Sequence, residues 1–217
     1  MEPIRLTVDE TVSSVDLSSF ARYMSWHPEY LGYFLARPGS EHHSLLSFLT
    51  RQLPEGSTVV DLGTLYGASA LALAHGIPAG KVITYDIRDH IPPVAATIHN
   101  VGNIEVRIRD GILDSDFYLD AKLILLDVDP HDGIQERHFI QRMMHSQYKG
   151  VVVCDDIYCN AAMKSFWDWI PLEKYDVTLY GHCSGTGIVV FDNKTLSVDV
   201  HFLTPATNSE ALPMTSA

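Results

Sequence analysis

Two short stretches carry an unusual density of groups able to bind a cation or move a proton. "LLDVDPHDG", residues 125 to 133, supplies Asp127, Asp129, His131 and Asp132, and "VVVCDDIYC", residues 151 to 159, supplies Asp155 and Asp156. Each cluster follows an apolar run, so each stands at the end of a strand. Carboxylates gathered on one rim repel one another and titrate high unless something positive sits among them. A hard divalent cation with oxygen ligands, Mg²⁺ first among them, would meet that need. The expected ligands are Asp127, Asp155 and Asp156, with Asp129 as an alternative two positions from Asp127. Against this stands the general rule that acids are mostly solvated at strand ends.

The elements that must position these acids follow from the change of texture at residue 58. Apolar, β-branched runs at 58–62, 82–86, 104–109, 122–127 and 150–155 alternate with helical patterns near 67–76, 92–101, 134–148 and 160–169. Strands alternating with helices imply right-handed crossovers and a mostly parallel sheet with helices on both faces. In such a sheet the carboxyl ends of the strands share one rim, which places Asp127, Asp155 and Asp156 beside any ligand bound there. "YDVTLYGHCSGTGIVVFDN" gives two further runs around a Gly/Ser turn, read as an antiparallel hairpin at the sheet edge. Its His182 is explained by turn chemistry and receives no catalytic role. Residues 1–57 read as an N-terminal helical cap, 58–203 as the core and 204–217 as a polar tail, together one domain.

"VVDLGTLYGASALALAH" sets Gly63 and Gly67 between the first core strand and a helix whose N-terminal N–H groups face an anion, with the Ser69 hydroxyl at the same place. The next strand ends in Asp86, 23 positions after Gly63, where an acid can accept hydrogen bonds from ribose hydroxyls. A dinucleotide site calls for GxGxxG, and the spacing here departs from it.

The stretch instead resembles the first motif of class I S-adenosylmethionine-dependent methyltransferases, and "DLGTLYGAS" is most similar to that of the cation-dependent small-molecule O-methyltransferases of the catechol and caffeoyl-CoA type. The resemblance covers roughly residues 40 to 190 and implies a Rossmann-like class I methyltransferase fold. It implies that Gly63, Tyr66 and Gly67 form the cofactor loop, that Ser69 meets the methionine carboxylate, and that Asp86 takes the ribose. Asp110 and Gly111 of "IRDGILD" would contact the adenine, and Asp127 would stand beside the cofactor as well as on the metal. The family's metal ligands map onto Asp127, Asp155 and Asp156, with Asp156 where Asn is common. The family's lysine base maps onto Pro130, so His131 in the same loop becomes the candidate base. "GSEHHSLL" overlies the cofactor's methionine end in similar enzymes, which would turn Glu41 or His42 toward the site, yet Ser40 as a helix N-cap is the favoured explanation of this segment. Met163, Phe166, Trp167 and Ile170 read as a packed helix face, Tyr158, Cys159 and Trp169 as possible pocket lining, and "FARYMSWHPEYLGYF" as a lid or core element.

Composition narrows the partners. At 217 residues, 46% hydrophobic and 19% charged, the chain is of ordinary globular type, and a formal charge of -12 argues against a nucleic-acid partner. No apolar run is long enough to span a membrane, no secretory signal is visible, and three cysteines without a CxxC suggest reduced thiols, hence a cytoplasmic location. The expectation is an S-adenosylmethionine-dependent, divalent-cation-dependent O-methyltransferase with a small-molecule acceptor, its oligomeric state open and a homodimer one option. The alternatives are an enzyme of this fold that needs no metal and cyclises or cleaves the cofactor, an NAD-dependent oxidoreductase, and a non-enzymatic α/β binding protein.

Overall fold

The computed structural model describes residues 3–92, 97–114 and 119–202. Its strands are β1 (Ile4–Val8), β2 (Thr58–Leu62), β3 (Lys81–Asp86), β4 (Ile104–Ile108), β5 (Ala121–Leu126), β6 (Val151–Asp155), β7 (Glu173–Asp176), β8 (Thr186–Val190) and β9 (Leu196–Val200). The α-helices are α1 (Pro28–Phe34), α2 (His43–Thr50), α3 (Ala68–Gly76), α4 (Ile134–His145) and α5 (Ala161–Trp169). Seven strands form one sheet in the order β4-β3-β2-β5-β6-β8-β7. The first five in that order run parallel, while β8 is antiparallel to both β6 and β7.

Both faces of this sheet are covered, which is why its strands are continuously apolar rather than alternating. Val59, Val82, Leu123, Leu125, Val151 and Val153 pack with α2 and α3 on one face. Val60, Ile83, Ile124, Leu126 and Val152 pack with α4 and α5 on the other, where Met163, Phe166, Trp167 and Ile170 form the buried helix stripe that their spacing implied. The β7–β8 hairpin lies at the sheet edge as expected.

A second, two-stranded sheet was not anticipated. β1 pairs in parallel with β9, Ile4 opposite Leu196, and buries Leu6, Val8, Leu196 and Val198 in the α2/α3 side of the core. The segment expected to be helical before residue 58 therefore opens with a strand. Of the helix expected at 92–101, only a 3-10 turn at Ile98–Asn100 falls among the described residues, and the tail from 204 lies outside them.

The sheet order reverses between β2 and β5, since β2 continues to β3 on one side and β5 to β6 on the other. Such a switch point opens a crevice at the strands' carboxyl ends. Gly63 makes the closure of that crevice possible. Its φ is +110°, and a Cβ there would stand 1.7 Å from the Asp127 carbonyl oxygen. Gly63→Ala is expected to lose about 2–4 kcal/mol of stability through left-handed strain and backbone collision. Urea denaturation followed by circular dichroism measures it, and a midpoint equal to wild type would show that the approach is not constrained.

Candidate active site

A cavity of about 620 Å³ opens at the switch point. It is lined by Gly63 and Leu65 after β2, Asp86 and Arg88 after β3, Asp110 and Gly111 after β4, and Asp127 and His131 after β5. Asp86 accepts hydrogen bonds from the Leu65 N–H at 2.8 Å and the Arg88 N–H at 3.0 Å, which fixes its carboxylate and leaves acceptor positions open. Asp110 accepts from the Ile112 N–H at 2.9 Å, tightening the turn that holds Gly111.

Next to this cavity the acids divide into two groupings. Asp155 is buried at 3% exposure, with His42 Nδ1 3.1 Å from its Oδ1 and His182 Nδ1 3.4 Å from its Oδ2. The Thr186 hydroxyl donates to the same Oδ1 at 3.1 Å. Asp127 and Asp156 instead gather about His131, whose Nε2 lies 3.9 Å from Asp127 Oδ1 and 3.3 Å from Asp156 Oδ2. His131 Nδ1 faces the buried Glu136, 3.9 Å away. Asp156 belongs to both sets, since its Oδ1 lies 3.1 Å from His182 Nδ1 and also accepts from the Ser184 hydroxyl. Asn160 holds the His131 loop, donating to the His131 carbonyl at 2.9 Å while its side chain caps α5. Leu65, His131 and Asp156 all have φ between +43° and +56°, a backbone region costly for such residues and one that collects at functional sites.

The charges of the first grouping offset one another. Burial alone would raise Asp155, but His42 and His182 hold it below the usual carboxylate range. Burial would likewise lower His42, yet the Asp155 charge carries it up to about 9. Hydrogen bonds to Asp155 and Asp156 raise His182 to about 11. Burial and the neighbouring Asp155 push Asp127 well above the ordinary range, and a cation beside it would draw the carboxyl back toward its ionised form. The repulsion among three aspartates is thus partly met by two imidazoles from within the chain.

Solved structures share this architecture. The SAH-bound Podospora anserina methyltransferase PaMTH1 matches with a TM-score of 0.57 at 14% identity, over 81% of this chain and 87% of its own. A methyltransferase from Geobacter sulfurreducens matches at 0.53 and 15% identity, over 69% of this chain and 77% of its own. A Staphylococcus aureus protein assigned to the caffeoyl-CoA O-methyltransferases matches at 0.54 and 14% identity, over 69% and 82%. The chain has the class I methyltransferase fold. No family model and no curated protein matches the sequence.

Within that fold the residues expected at the cofactor separate. Gly63, Asp86, Asp110, Gly111 and Asp127 line the cavity, and so does the candidate base His131. Ser69 does not. Its hydroxyl points inward and donates to Asp61 Oδ2 at 3.1 Å, beside the Thr84 hydroxyl at 2.6 Å, because the buried Asp61 carboxylate needs donors. Tyr66 is drawn into an aromatic cluster, its ring 4.6 Å from that of His27, 4.4 Å from Tyr30 and 5.7 Å from Trp26. The N-terminal aromatic run accordingly packs on the loop after β2. Gly67 adopts a φ of +89° with Ile98 against it, which makes it a turn residue under the same cluster. Tyr158, Cys159 and Trp169 do not line this cavity.

Two sequence readings of the rim are corrected. α2 starts at His43, so Ser40 is not its N-cap, and the residue at the cap position, His42, sends its ring to Asp155 rather than to the helix backbone. His182, explained above as turn chemistry, meets both Asp155 and Asp156. Glu136 was not singled out at all; its single sequence signal is an acid in the first turn of α4.

Asp61 yields a test of this electrostatic account. Burial raises its carboxyl to about 7, against the hydrogen bonds from Thr84 and Ser69. A folded-state value above the unfolded one means that the protonated acid's contribution is complete below about 4 and is lost as pH rises toward 7. Asp61→Asn, which stays neutral, should gain in melting temperature relative to wild type between pH 4 and pH 8. Scanning calorimetry at both values decides, and an equal difference at both would contradict the raised value.

Proposed function

We propose that the chain is an S-adenosylmethionine-dependent methyltransferase acting on a hydroxyl of a small molecule, with a divalent cation at the acid rim. The observation that carries the reading is the single cavity at the switch point that joins Gly63, Asp86, Asp110, Gly111, Asp127 and His131. Asp86 keeps acceptor capacity for a ribose.

Methyl transfer is an in-line displacement, so the chain's task is to hold an acceptor oxygen in line with the methyl carbon and to take its proton. His131 is suited to the second part. Its Nε2 faces Asp156 and Asp127, its Nδ1 faces Glu136, and these carboxylates orient the ring and stabilise the imidazolium once a proton arrives. A divalent cation held by Asp127, Asp155 and Asp156 would act as a Lewis acid toward the acceptor hydroxyl. The donor set fits such an ion in chemistry, although Asp155 already has His42 and His182 beside it. That pairing favours a second reading, an enzyme of this fold using the same cofactor without a cation, for which activity surviving EDTA would be the mark.

Calorimetric titration with S-adenosylmethionine tests the reading directly. Wild type should bind, and Asp86→Ala should weaken binding by about 10- to 100-fold, the worth of a charge-assisted hydrogen bond or two. Wild type that binds no adenosyl cofactor would sink the proposal. Labelled methyl transfer to a panel of small hydroxylated compounds, compared between wild type and His131→Ala, tests the base. Removal of a general base should lower turnover by about 10²- to 10⁴-fold with cofactor affinity retained.

A further inference from the structure

His42 and His182 reach the acid rim from outside the parallel strands, one from the residue before α2 and the other from the β7–β8 loop. Their Nδ1 atoms flank one carboxylate, at 3.1 Å from Asp155 Oδ1 and 3.4 Å from Asp155 Oδ2. His42, Asp155 and His182 place one donor atom each within 4.8 Å of one another. Donors sharing a first-row metal at bonds of about 2.1 Å lie about 3.0 Å apart at right angles and about 3.4 Å apart at tetrahedral angles. The two histidine-to-carboxylate spacings fall in that range.

Hydrogen-bonded ion pairs give similar spacings, and His42 distinguishes the two cases. Its residue is 5% exposed, and among the described residues its Nδ1 makes no well-formed hydrogen bond, although Asp155 Oδ1 lies 3.1 Å away. A buried ring nitrogen left so is costly as a donor. As a lone-pair donor to an ion between the rings it is satisfied.

We propose that His42, Asp155 and His182 bind a late first-row divalent transition ion, Fe²⁺, Co²⁺, Ni²⁺ or Zn²⁺, with Asp156 Oδ1 as a fourth donor. Two imidazoles and a carboxylate select such ions over Mg²⁺, which prefers oxygen alone. The surroundings supply the outer contacts that metal-bound groups usually have. Thr186 donates to Asp155 Oδ1 at 3.1 Å, Ser184 donates to Asp156, and Glu41 Oε1 stands 3.8 Å from His182 Nε2, the far ring nitrogen. Asp156, with its other oxygen toward His131, joins this site to the candidate base. The inference rests on the reading that the acid rim holds a cation, and it changes both the ion and its ligands.

The test uses the untagged full chain without cofactor. Calorimetric titration with Co²⁺ and with Mg²⁺ is paired with the visible spectrum of the cobalt form and with pulsed electron paramagnetic resonance of the Cu²⁺ form, which detects imidazole nitrogen. One Co²⁺ per chain should bind, at least about 10-fold tighter than Mg²⁺, with imidazole nitrogen coupled to the ion. His42→Ala and His182→Ala should each weaken Co²⁺ by about 10-fold or more, as expected on loss of a ligand. If either variant fails to fold, His42→Gln and His182→Gln are read in its place, and imidazole coupling that they keep but His131→Ala loses would put the ion on His131 and overturn the proposal. Cobalt binding without imidazole coupling, with both variants unchanged, would overturn the histidine site and leave a carboxylate-held cation in place. A thiolate-to-cobalt band from Cys183 or Cys159 would also overturn it. Absence of any cation binding would overturn the rim cation as well, while titration with S-adenosylmethionine still decides whether the methyltransferase reading stands.

Discussion

The buried Asp155 carboxylate is the constraint around which the rim is built. A charge taken out of water is tolerated only when partners replace its hydration. Asp155 obtains them from two distant parts of the chain: His42 before α2, and the β7–β8 hairpin with His182 in its loop and Thr186 at the start of β8. The N-terminal section and the sheet-edge hairpin are thereby fixed against the end of β6. Asp156, the next residue, has its side chain between His182 and His131 and so carries the arrangement across to the cavity.

The parallel core was legible because each strand is a buried apolar run ending in a turn signal, and the helices between them keep a clear period. The acids were legible for a related reason. In a parallel sheet, a position at a strand's carboxyl end determines the rim on which it lies, so Asp86, Asp127 and Asp155 could be placed before any contact was known. What failed were the readings in which a polar side chain's direction is set by a distant partner, and the long-range strand pairing. Ser69 has the same address for an inward and an outward hydroxyl, and the buried Asp61 decides between them. His42 and His182 lie 113 and 27 positions from Asp155, and neither spacing carries a signal. The strands β1 and β9 pair across most of the chain, and each is too short to stand out by pattern alone.

Positive charge among the acids was expected from an ion, whereas the chain itself brings two imidazoles to the same place. Both descriptions satisfy one electrostatic need, and they differ in whether the rim presents protons or an open coordination position to an acceptor. The class I methyltransferase fold accommodates either, since it sets the positions of the strand ends and leaves the chemistry of the rim to the loops.

The pairing of β1 with β9 bears on how the molecule is assembled. Residues 4–8 have their strand partner only from residue 196 onward, so this pairing waits for nearly all of the described chain to emerge during synthesis. Contacts of such sequence separation carry a large closure cost and form late. The seven-stranded sheet draws on residues 58–190 alone, and the first strand then serves as the clasp added when that sheet is already in place.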